Sequence, residues 1–335
     1  MLTFTLRRLL LAIPTLLVIS LVIFLLVDLA PGSPMSEIPL TVPPDVRQKM
    51  IEALGADQPV FVRYFLWLRQ FFWVEPAYVI DHWFGTSLAA GEQRILSWQS
   101  RSPVFTIIGQ RLPQTLTVIG TAYLVGILIA LPIGIYSAYR QYSLFDQGGT
   151  LFAMIGFSVP TFFSGTLFII IFAVWLGWFP TKYDTQLVVN DWESFVKQVK
   201  QMALPVMTLG LANAAAISRY MRSSMLDNMT MDYVRTARAK GMSERTVVLK
   251  HVLRNSLIPV VTVIALGIPS IFGGAIITEN LFGVNGIGAA LIGAIRASDL
   301  PMVQTLAFIF AVLIVLFNLI ADILYGLLDP RIRYD

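Results

Sequence analysis

Few side chains in this sequence could do covalent or metal chemistry. There are no cysteines and only two histidines, His82 and His251, far apart in the chain. Disulfides, thiol catalysis and Cys-ligated zinc are excluded, and the histidine spacing argues against a His-rich metal site. No G-x-x-x-x-G-K-[ST], H-E-x-x-H or G-x-S-x-G run occurs. The serines of "GIYSAYR" and "GFSVP" have no visible base beside them. The chain therefore reads as a non-enzyme with no cofactor of its own.

The remaining polar candidates lie inside or beside apolar runs, where charges are costly and usually functional. Asn318 and Asp322 are four residues apart and share one helix face. They fit either a gating contact or interhelical hydrogen bonding. Asp28 lies at the outer end of the first apolar run. Glu279 lies at a corner in "FGGAIITENLFGVNGIG", where it can cap or pair locally. The glycines there suit a re-entrant bend or an ordinary close-packed turn.

The most chemically distinctive stretch is "DYVRTARAKGMSERTVVLKHVLRN", residues 232–255. Asp232 is expected to cap a helix carrying Arg235, Thr236, Ala237, Arg238, Ala239 and Lys240. Gly241 suits the left-handed position that ends it. Ser243 can cap a second helix, with Glu244 in its first turn. Val248 and Val252 share one face, Leu249 and Leu253 another. Small residues beside arginines suit docking into an acidic groove. A basic loop that only fixes topology is the alternative.

The elements that must hold these residues are membrane spans. The 335-residue chain is 56% hydrophobic and only 13% charged, against roughly 25% charged in soluble domains. Segments of about 20 apolar residues can cross the hydrocarbon core. Six are read, near 9–30, 113–139, 150–178, 202–218, 257–278 and 303–328. Pro14, Pro132, Pro160 and Pro269 lie inside them and are expected to be tolerated. Pro113, Pro205 and Pro259 lie near span starts. The first run is too long for a signal peptide and has no cleavage site, so it reads as an uncleaved span.

Basic residues orient the chain. Arg7, Arg8, Arg140, the loop 219–256, Arg331 and Arg333 fall on one side, which puts both termini in the cytoplasm. The net charge of +4 then reflects topology rather than nucleic-acid binding. The domain reading is 1–30 (first span), 31–112 (extracytoplasmic loop), 113–328 (five-helix core with a cytoplasmic loop 223–256) and 329–335 (cytoplasmic tail). Two short helices are expected in the outer loop, one starting at Pro43-Pro44 and ending at Gly55, the next carrying Val62, Phe65, Leu66 and Leu68. Trp67, Trp73, Trp83 and Trp98 suit an interfacial belt or a partner surface. Segment 91–104 receives no role.

Several motifs carry a family resemblance. They are "YVRTARAKGMSERTVVLKHVLRNSLIPVVTV", "LRRLLLAIPTLLVISLVIF" with "APGSP", "LGADQPVFVRYFLWL", "FGTS", "RLPQTLTV", "SVPTFF", "ITENLFGVNGIG" and "NLIADILYGLLDPRIR". Over nearly the whole chain it resembles permease subunits of ABC importers, in particular the first permease of the dipeptide/oligopeptide (and nickel) family. The family's coupling motif runs E-A-A, three residues, then Gly. Gly241 matches that glycine, and Arg235, Thr236 and Ala237 stand at E-A-A, so a Glu-based contact is not expected. The resemblance implies an all-α type I importer fold with six transmembrane helices in the bacterial inner membrane. It implies coupling to ATPases through residues 235–241 and import of peptides, with nickel complexes or glycans as alternatives. The implied partners are a second permease, two cytoplasmic ATPase subunits that bind ATP and Mg, and an extracytoplasmic substrate-binding protein. A self-contained carrier or channel, or a membrane scaffold, is the rival reading.

Overall fold

The computed structural model describes residues 2–29, 58–273 and 276–328. The helix expected at 43–55 and the tail 329–335 lie outside the described residues. Helix is the only regular element among them, apart from one isolated bridge between Leu96 and Pro103. The helices are α1 (Leu2–Asp28), α2 (Val60–Arg69), α3 (Glu75–Phe84), α4 (Val104–Thr115), α5 (Thr121–Tyr139), α6 (Leu144–Ser158) and α7 (Thr161–Phe168). There follow α8 (Trp192–Met229), α9 (Asp232–Ala239), α10 (Glu244–Thr246), α11 (Leu253–Gly273), α12 (Ile276–Phe282), α13 (Ile287–Arg296) and α14 (Leu300–Leu328). Short π-helical segments join α2 to α3, α4 to α5 and α10 to α11, and another extends α7 to Trp175.

Among the described residues five helical stretches are long and apolar enough to cross a bilayer: Leu6–Asp28, Val104–Tyr139, Trp192–Met229, Glu244–Pro269 and Leu300–Leu324. The third expected span, 150–178, is not one straight helix. It is replaced by a pair, Leu144–Ser158 and Thr161–Trp175, bent by 105°. The cause is Pro160. A proline disfavours the helical region for the residue before it, and Val159 is extended at φ −88°, ψ 121°. Pro14, Pro132 and Pro269 are contained within their helices, as are Pro113, Pro205 and Pro259, because those helices start earlier than read. A second bent pair, Ile276–Phe282 with Ile287–Arg296, turns by 92° after the fifth span.

The chain forms two compact units. One comprises Met1–Leu9, Pro113–Ala289 and Ile314–Asp335. Its core is built on α8, against which α5, α6, α7 and α11 pack. Close approach there depends on small residues. A Cβ at Gly126 would lie 2.9 Å from the Gly210 carbonyl oxygen, and one at Gly134 would overlap Met221 and Ser218. The other unit comprises Leu10–Leu112 and Ala290–Leu313. The second helix expected in segment 31–112 runs unbroken over 60–84, longer than read, and ends at Gly85 in the left-handed conformation (φ 66°). Segment 91–104 is tightly held in this unit. The buried Glu75 carboxylate accepts from Arg94 at 2.7 Å and from the Ile95 N–H at 3.0 Å. The buried Asp299 accepts from the Ser97 hydroxyl at 2.5 Å and the Trp98 N–H at 3.0 Å.

Candidate coupling surface

Residues 232–255 fold as helix, glycine, helix. Met231, not Asp232, occupies the N-cap, with extended φ −71°, ψ 150°; Asp232 is the first helical residue. There its carboxylate sits in the first turn, where the helix dipole favours it. Gly241 adopts φ 77°, and its N–H closes the turn on the Arg238 carbonyl at 2.9 Å. Ser243 caps the next helix, its hydroxyl accepting the Thr246 N–H at 3.4 Å. From Glu244 the helix then runs without a break to Gly273, so the loop is mechanically continuous with the fifth span.

Side-chain placement divides α9 into two faces. Val234 and Ala237 are buried, in one cluster with Val247, Val248 and Val252. Arg235, Thr236, Arg238, Ala239, Lys240 and Gly241 are exposed. Arg238 is not free for a partner carboxylate: its guanidinium grips Glu244 through Nε at 3.0 Å and Nη2 at 2.6 Å. The hydrogen-bonded Glu244 carboxylate holds Arg238 above its ordinary pKa. Arg235 lies 3.6 Å from Asp232, both highly exposed. Such surface pairs contribute about 0–1 kcal/mol. Arg235 and Lys240 are thus the more available cations on an outward face of small residues.

Contacts missed by sequence reasoning brace the surface. Ser224 at the end of α8 and Ser256 at the start of α11 exchange hydrogen bonds, each hydroxyl donating to the other's carbonyl at 2.8 and 3.1 Å. Arg222 binds the buried Asp146 through Nε at 2.6 Å and Nη2 at 2.9 Å, tying α8 to α6. The partners are 76 residues apart, and no local pattern signals them. The Tyr233 hydroxyl bonds Asn228 at 2.5 Å.

The other polar candidates lie apart from this surface. Glu279 is fully buried and accepts from the Thr115 hydroxyl at 2.9 Å and the Ala289 N–H at 2.9 Å. Thr115 in turn accepts the Ile287 N–H at 2.8 Å, so both side chains serve the start of α13. Gly286 and Gly288 leave room for this carboxylate. Asp322 pairs with Arg8 at 2.6 Å, while Asn318 is exposed and takes no part in that pair. Among the described residues no group of three or more His, Cys, Asp or Glu is placed to hold a metal ion.

The profile of the binding-protein-dependent transport system inner membrane component matches residues 130–334, a span that contains the whole surface. The companion N-terminal profile of these systems matches residues 1–119. The chain belongs to this family. It is a permease subunit of an ABC importer, a transport component and not an enzyme, and it works with ATPase and substrate-binding partners. It is 37% identical over 338 residues to the oligopeptide transport system permease protein AppB of Bacillus subtilis (strain 168), covering 100% of each chain. The same figures hold for the glutathione transport system permease protein GsiC of Salmonella typhimurium (strain LT2). A solved amino acid ABC transporter has the same helical fold, with a TM-score of 0.50 at 13% identity, over 66% of this permease and 94% of that chain.

Proposed function

We propose that this permease imports short peptides across the bacterial inner membrane by alternating access. In this reading both termini are cytoplasmic. The permease pairs with a second permease on two cytoplasmic ATPase subunits that bind ATP and Mg, and an extracytoplasmic binding protein delivers the solute. The full-length likeness to oligopeptide and glutathione permeases supports the peptide class. ATPase closure enters through α9, with Arg235, Thr236, Ala239 and Lys240 presented to the ATPase. Arg238 holds the loop's shape, and Ala237 anchors it.

The observation that carries this reading is the split of α9 into a buried Val234–Ala237 face and an exposed cationic face, on a helix that continues into a span. A topology signal needs charge alone; it needs no apolar anchor beneath it. The test is binding-protein-stimulated ATP hydrolysis and peptide uptake in proteoliposomes of the four-component complex. Arg235→Glu is expected to lower both at least tenfold while the permease pair still purifies intact. Unchanged stimulated hydrolysis in Arg235→Glu and in Lys240→Glu would show that the ATPase docks elsewhere.

A further inference from the structure

The helix at 60–84 is apolar on both sides. One side is covered: Tyr64, Trp67, Val74 and Ala77 are buried. The other carries Phe61, Phe65, Phe72, Trp73 and Trp83, each more than half exposed. Of the four outer-loop tryptophans only Trp73 and Trp83 are exposed; Trp67 is buried and Trp98 half-buried.

Two independent markers fix how deep this helix lies. The Tyr64 hydroxyl bonds Ser20 at 2.8 Å, Arg63 pairs with Asp28 at 2.6 Å, and the Phe24 ring lies 5.4 Å from Tyr64 and 6.3 Å from Trp67. Phe24 stands about 6 Å inside the Asp28 end of its span at 1.5 Å per residue. Phe308 lies about 12 Å along α14 from Leu300, and its ring meets Trp67 at 5.2 Å and Phe71 at 4.8 Å. Both place the 60–72 part beside two spans, below their ends and not above them. Span one's own apolar residues at this level, Val22 and Leu26, are exposed as well. Charge complementarity argues the same way. Arg63, Arg69, Glu75 and Asp81 are each engaged within the unit. The outward face therefore offers a protein partner no free ionised carboxylate or guanidinium.

We propose that residues 60–84 are a lateral membrane helix embedded in the leaflet at the Asp28 end of span one. Its Phe61, Phe65 and Phe72 face is solvated by lipid acyl chains, and Trp73 and Trp83 sit at the headgroup level. The proposal rests on the permease reading only for the bilayer itself, and not on the coupling assignment.

The chain has no cysteine, so Phe65→Cys and Phe72→Cys give unique labelling sites in a complex whose partner subunits lack reactive thiols. Leu88→Cys, just beyond the helix, is the aqueous control. The assembled importer goes into nanodiscs containing acyl-chain spin-labelled phosphatidylcholine. The environment-sensitive fluorophore at 65 and 72 is expected to be quenched at least twofold more by these lipids than at 88, with iodide giving the reverse order. Iodide quenching at 65 and 72 without lipid quenching overturns the proposal. So does shielding from both quenchers that appears only when the binding protein docks, which would make the face a protein interface. Photoactivatable acyl-chain lipids on the unaltered complex provide a second measurement: adducts are expected on the 60–84 peptide, and their absence when the spans are labelled also overturns it.

Discussion

Gly241 offers a test in which one physical quantity can be varied alone. Its φ is 77°, and a Cβ built there meets no heavy atom within 4 Å. Substitution therefore costs backbone strain with no clash added. Holding an L-residue in the left-handed region costs about 1–2 kcal/mol, less for Asn and more for β-branched residues. The expected order of loop stability is Gly, Asn, Ala, Val. If Asn loses about 0.5 kcal/mol, Ala about 1 and Val about 2, local opening rises roughly twofold, fivefold and thirtyfold, since 1.4 kcal/mol is a factor of ten. The assay is hydrogen exchange of the 232–255 peptide in the assembled complex, read beside binding-protein-stimulated ATP hydrolysis. Hydrolysis should follow the same order, with Gly241→Val most impaired. Equal exchange in the Asn, Ala and Val variants would refute the strain argument. Graded exchange with unaltered hydrolysis would refute the coupling role and leave the strain argument standing.

Three further outcomes follow from other contacts. Arg222→Ala or Asp146→Asn should each lower complex stability by about 2–3 kcal/mol, below the range for a fully enclosed pair because Arg222 is 29% exposed. Thermal unfolding of both singles and the double should show strong non-additivity; additive losses would mean the pair is not coupled. Gly286→Ala puts a methyl into Glu279 Oε1 and Thr115 Oγ1 and should destabilise the complex measurably, whereas Gly293→Ala, in open space within α13, should be neutral or stabilising by about 0.5–1 kcal/mol. Asp81 is held below its ordinary pKa, chiefly by the Thr86 hydroxyl and also by the Ala89 and Leu88 N–H groups. A depressed carboxylate stabilises above its unfolded value, near 3.9, and loses that as pH falls through the folded value. Protease sensitivity of the 85–90 turn should be flat above pH 5 and rise below about 4, with Asp81→Asn sensitive throughout.

Where the physics was local, the sequence was sufficient. The apolar runs located the spans, a lone glycine in a basic stretch marked the turn at 241, and Ser243 announced its cap. The break at Pro160 was not readable, because a proline in an apolar run looks the same whether neighbours restore the lost bond or the helix ends. Arg238 looked free because helical spacing compares residues three and four apart. Its partner Glu244 is six away and reaches it only across the Gly241 turn. Asp232 was misplaced by one position, since aspartate is favourable both at a cap and in the first turn. Arg222–Asp146 and Thr115–Glu279 are pairs across the fold, separated by 76 and 164 residues. One sequence holds no signal for them.

These cross-fold pairs also bear on how a push at α9 would travel. Along one route α9 rests on Val247, Val248 and Val252, which lie on the helix that becomes the fifth span. Ser256, one turn beyond Val252, is hydrogen-bonded to Ser224 on α8. A displacement of α9 therefore loads α11 and α8 together and not one of them alone. α8 has 38 residues, about 57 Å at 1.5 Å per residue, long enough to reach from one membrane face to the other. It also packs on α12 and on α7 beyond the Pro160 break, and Gly165 of α7 lies against Thr208, 16 residues from Ser224 along α8. In the same unit, Glu279 on α12 joins Thr115 to the start of α13. The proposed coupling thus needs no flexible relay: a rigid α8, clamped by serines near its Met229 end, would carry a tilt to α12 and its Glu279 cluster. Replacing both serines with alanine tests this directly. Ser224→Ala with Ser256→Ala should leave ATPase docking intact but uncouple hydrolysis from uptake. If the ratio of peptide imported to ATP hydrolysed is unchanged, the clamp is not part of the transmission.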